Sequence, residues 1–97
     1  MKQNQSERFR HIREAEMKQS RRRASQIETM IAEFDRMCVD LGHQIEAEER
    51  RAQIDDPAHF AYPTFAKSAR LRRAKIQQSA NALKDELERL SAHQEAA

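Results

Sequence analysis

One break separates two long runs of heptad-spaced residues, and that arrangement constrains this chain more than any other feature. Met17, Ser20, Ala24, Ile27, Ile31, Phe34, Cys38, Leu41, Ile45, Glu48 and Ala52 follow one another in steps of three and four. Such a stripe turns with an α-helix and keeps one face toward a partner helix. A second stripe runs through Phe65, Ala69, Arg73, Ile76, Ala80, Leu83, Leu87 and Leu90. Two matched stripes joined by a short connector fold back on each other. The expected fold is all-α, a long antiparallel two-helix coiled-coil hairpin with an N-terminal helical overhang. The whole chain, 1–97, forms one unit: a helix over about 5–54, a turn over 55–63, a helix over about 64–91 and a frayed tail over 92–97. The central seam consists of Ile27, Ile31, Phe34, Cys38, Leu41, Ile45, Ile76, Leu83, Leu87 and Leu90.

Local signals agree. Asn4 with Glu7 three residues on reads as a helix-start cap. Asp56-Pro57 reads as a cap followed by Pro at a first helical position, which predicts a short helical turn there. Pro63 restricts Tyr62 to extended backbone, so the second helix opens at Pro63 or Thr64. Gly42, the only glycine, costs about 1 kcal/mol against Ala within a helix.

A turn centred near His59 pairs residues whose numbers add to about 118, an estimate that follows from antiparallel helix pairing. Arg70, Arg72 and Arg73 then oppose Glu46, Glu48 and Glu49, Arg89 lies near Glu28, and Leu83 and Leu87 meet Ile31 and Phe34. Glu46–Arg50 and Asp85–Arg89 are favourable pairs within their helices. The second helix ends opposite residue 26 or so, leaving residues 5–25 as a single basic helix roughly 30 Å long.

Composition narrows the function. Residues 1–24 hold eight Lys/Arg and three Glu. Cys38 is the only cysteine, so no intramolecular disulfide forms, which fits a reducing compartment. No apolar run approaches a membrane span, and the start MKQNQSERFR offers no signal-peptide core. A soluble cytoplasmic protein is expected, peripheral to a membrane at most. His11, His43, His59 and His93 are scattered without metal-ligand spacing. Asp55, Asp56 and His59 supply too few ligands for a metal. One glycine cannot build a phosphate loop. The sequence therefore predicts no catalytic residue, cofactor, metal or small-molecule substrate, and no enzyme.

Two places remain for partners. Arg21, Arg22 and Arg23, with Lys18, Arg13 and Arg10, have no acidic residue opposite them in the predicted register. Such a run suits an acidic protein groove, a membrane surface or nucleic acid. The absence of interleaved aromatics argues against single-strand stacking and makes nucleic acid the weaker partner. Phe60, Tyr62 and Phe65 cluster at the turn, where they plug the hairpin end, present an aromatic anchor, or divide between the two with some rings inward and one out.

The stretch Arg21-Arg22-Arg23-Ala-Ser-Gln-Ile-Glu through Met30-Ile-Ala-Glu-Phe-Asp-Arg-Met37, and above all the turn Asp56-Pro-Ala-His-Phe-Ala-Tyr-Pro-Thr-Phe-Ala-Lys67, resemble the FliJ family of alphaproteobacterial flagellar export proteins. The resemblance covers roughly residues 17–90. It implies a non-enzymatic component of the flagellar type III export apparatus, located at the flagellar base, with an antiparallel coiled coil similar to a rotary-ATPase stalk. It also implies binding to the export ATPase and the export gate's cytoplasmic domain, and help in recycling substrate chaperones. Members of that family usually have two long helices, whereas the second helix here is short. The residues alone leave two other classes open, a basic nucleic-acid-associated coiled coil and a self-assembling dimer.

Overall fold

The computed structural model describes residues 2–96. Helix α1 spans Lys2–Ala52 and helix α2 spans Thr64–Ala96. They lie antiparallel as a rod of 77 × 18 × 16 Å, the predicted all-α hairpin. Every α1 stripe position from Met17 to Ala52 is buried or half-buried, with Ile27 and Ile45 the deepest large side chains. Leu41, Ile45, Tyr62, Ala66 and Ala69 form the main core, and Ile54 and Ile76 pack against it. That core lies beside the turn. All three fully buried residues of α2 are alanines (Ala66, Ala69 and Ala80), whose short side chains admit the branched residues of α1.

The α2 stripe differs from expectation at its start. Phe65 is 53% exposed and Ala66 is 0% exposed. The actual run is Tyr62, Ala66, Ala69, Arg73, Ile76, Ala80, Leu83, Leu87, Leu90 and Gln94, an unbroken alternation of four and three, all buried or half-buried. Tyr62 sits on it because the Pro63 carbonyl accepts the first helical bond, from the Lys67 amide at 3.0 Å, and this sets the phase of α2.

Helix ends also shift. Asn4 lies inside α1 rather than capping it. The tail 92–96 is helical, because Gln94 reaches back to α1 and donates to the Ser20 hydroxyl at 2.9 Å. The cross-helix bonds do not share one point of reflection: Glu49–Arg70 and Asp35–Lys84 fit the expected centre near 59, whereas Ser20–Gln94 and the Cys38 thiol donating to the Arg73 carbonyl at 3.9 Å fit one nearer the start of the turn. Residues 20–25 consequently face α2. The stretch of α1 exposed throughout is 4–16, not 5–25, since Met17 and Ser20 are half-buried and His93 lies beside them.

α1 stops at Ala52 through its backbone. Gln53 takes a left-handed φ of 57°. Its amide donates to the Arg50 carbonyl at 3.3 Å, and the Ile54 amide donates to the Glu49 carbonyl at 3.2 Å. This is the Schellman pattern, and Ile54 supplies its apolar contact by packing on the core.

Candidate functional site

The turn is built from two β-turns in series. Asp56 accepts the His59 amide on its carbonyl at 3.0 Å and the Ala58 amide on its side chain at 2.9 Å. His59 repeats the device three residues later. Its carbonyl accepts the Tyr62 amide at 3.0 Å, and its Nδ1 accepts the Ala61 amide at 3.0 Å. Asp followed by Pro suits the first turn. The short helix predicted at Asp56-Pro57 is this β-turn instead, since the 56–59 bond is not continued.

A three-residue network fastens the turn to the helices. The Tyr62 hydroxyl donates to Glu49 Oε2 at 2.9 Å. Arg70 Nε donates to the Tyr62 oxygen at 2.8 Å, and Arg70 Nη2 donates to Glu49 Oε2 at 3.0 Å. The Arg70 guanidinium is the main reason the Glu49 carboxyl is held below the usual carboxylate range; the Tyr62 hydroxyl adds to this and burial opposes it. The Tyr62 and Glu49 hydrogen bonds push Arg70 upward.

The aromatic cluster therefore divides. Tyr62 is 8% exposed and plugs the hairpin end. Phe60 is 96% exposed and stacks only on His59, with ring centres 4.8 Å apart. Phe65, half-exposed, lies on the outside of α2. Of the three predicted partner-binding aromatics, the structure leaves Phe60 and Phe65 available.

The basic cluster also divides. Arg23, expected to lack an acidic partner, grips Glu86 with Nε at 3.0 Å and Nη2 at 3.2 Å. Arg21 and Arg22 are exposed and make no ion pair among the described residues. Glu49–Arg70 forms as predicted. Arg72, Arg73 and Arg89 do not reach Glu46, Glu48 or Glu28, and the in-helix pairs Glu46–Arg50 and Asp85–Arg89 are not made. Glu48 holds Arg51 instead, and Lys84 lies 3.9 Å from Asp35.

No protein-family model matches the chain, and no curated protein and no solved structure matches it.

Among the described residues no group of His, Cys, Asp and Glu is placed to hold a metal. No described helix is long and apolar enough to cross a membrane. Grooves on the surface are open ones. One of them, about 930 Å³, lies where Leu90 and His93 meet Lys18, Gln19, Arg22 and Gln26 of α1. Sequence reasoning missed the Glu49–Tyr62–Arg70 network and the Arg23–Glu86 pair. Tyr62 four residues before Ala66 was the available signal for the first; the second depended on register.

Proposed function

We propose that this chain is a non-enzymatic coiled-coil component of the flagellar type III protein export apparatus. In this reading it binds the export ATPase and the export gate at the flagellar base and assists substrate-chaperone handling. The observation that carries the reading is the turn segment Asp56–Lys67, whose sequence resembles that of the FliJ family. The antiparallel rod is consistent with a stalk-like part in such an assembly. Arg21 and Arg22, exposed and without ion pairs, give it a basic surface for an acidic partner.

The test is binding of this chain to the purified export ATPase and to the export-gate cytoplasmic domain at two salt concentrations. The proposal expects binding that weakens with salt and falls about tenfold with Arg21→Glu and Arg22→Glu together, as for exposed charges at an interface. Absence of binding to both proteins would overturn it. Steeply salt-dependent binding to duplex DNA in place of either protein would favour the nucleic-acid reading.

A further inference from the structure

We infer that the hairpin tip is a preorganised docking knob, in which Phe60 inserts into an apolar pocket of another protein whose rim carries Lys or Arg. This stands apart from the export reading and needs only the geometry of the turn.

Phe60 is the most exposed large apolar side chain of the described residues, at 96%, and no apolar neighbour of the hairpin covers it. The backbone before and after it is nevertheless hydrogen-bonded. The two β-turns, the side-chain bonds of Asp56 and His59, Pro57 and Pro63, and the Tyr62 network together fix residues 56–63. An aromatic presented this way loses little freedom on binding, and such residues dominate interface energies. The plug is Tyr62, so Phe60 is not needed to close the hairpin.

Charge selects the occupant. Between Gln53 and Ala66 the only charged side chains at neutral pH are Asp55 and Asp56, both exposed, with no Lys or Arg among them. Neither makes an ion pair in the hairpin. An exposed phenyl ring on a turn that carries two carboxylates and no Lys or Arg fits a hydrophobic pocket with a basic rim. The same carboxylates oppose an acidic membrane surface, nucleic acid and the tip of a second copy.

The experiment places a photoreactive phenylalanine analogue at position 60 of the full chain and, as control, at Leu71, which is 62% exposed on α2. Both proteins are irradiated in cells. The protein cross-linked through position 60 is identified, purified and titrated with the unlabelled chain. The inference expects cross-linking at 60 well above that at 71, with the attachment site in an apolar pocket beside Lys or Arg. Phe60→Ser should weaken binding about 30-fold, the loss typical of a hot-spot aromatic. Asp55→Asn with Asp56→Asn should weaken it several-fold and flatten its salt dependence; Asn at 56 retains the side-chain acceptor for the Ala58 amide. Helix content of Phe60→Ser should equal that of the parent. Three results would overturn the inference: no cross-link above control, cross-linking between positions 60 of two copies, or unchanged binding of Phe60→Ser. A partner outside the export machinery would leave this inference standing and the export reading to its own binding test.

Discussion

Two single positions show how local backbone preference is overruled by the fold. Gln53 sits in the left-handed region, where a side chain with a Cβ pays about 1–2 kcal/mol. The Schellman bonds and the burial of Ile54 hold it there. Gln53→Gly is expected to raise stability by about 1 kcal/mol, read as a higher urea midpoint with an unchanged slope. Gly42 is the opposite case. A Cβ added there would lie 3.5 Å from the Arg73 guanidinium, an ordinary contact. Gly42→Ala should therefore gain roughly the helix-propensity difference, about 1 kcal/mol, in the same experiment. Neither site was fully legible in the sequence. A helix end with Gln at its left-handed position carries no glycine signal, so the first helix reads two residues too long. The Phe65 ring drew the second stripe one residue off, because a large apolar residue weighs more in a periodicity than the small Ala66 that is actually buried.

The turn is the element on which function and stability meet. Tyr62→Phe removes the hydroxyl that joins Glu49 to Arg70 and should cost about 1 kcal/mol, a typical net value for such a bond. The network also sets a pH dependence. Glu49 has its carboxyl held below the ordinary value of 4.5 in the folded state, so its contribution is complete above that value. It is lost as pH falls through the lower, folded value, since the unfolded chain takes up the proton first. Thermal melts from pH 7 to pH 2.5 should show Glu49→Gln losing less stability across the acid range than the parent. Equal slopes would remove Glu49 from the account. The sequence placed Arg70 opposite Glu49 correctly. It placed Arg72, Arg73 and Arg89 beside acids they do not reach, because the cross-helix bonds do not share one centre: Glu49–Arg70 and Asp35–Lys84 keep the expected one, and Arg23–Glu86 and Ser20–Gln94 do not.

At the scale of the molecule, the fold was legible because matched stripes and one proline-bounded break leave few other arrangements. The reach of α2 was not, since Gln94 and Ser20 are polar and their contact adds nothing to an apolar pattern. Which ring of the aromatic cluster turns inward was equally hidden, because three rings within six residues do not reveal it. The consequence is an asymmetric rod, with its main core beside the turn and residues 4–16 exposed throughout at the other end. The antiparallel return of α2 underlies the tip, the register and the exposed basic segment alike. Spin labels at positions 20 and 94, on a Cys38→Ser background, test it most directly. A hairpin predicts one short separation, below about 25 Å including the labels, unchanged on dilution with unlabelled protein. Helices continuing in one direction would place the labels on the order of 100 Å apart at the α-helical rise. That distance, or a short one that disappears on dilution, would contradict the hairpin.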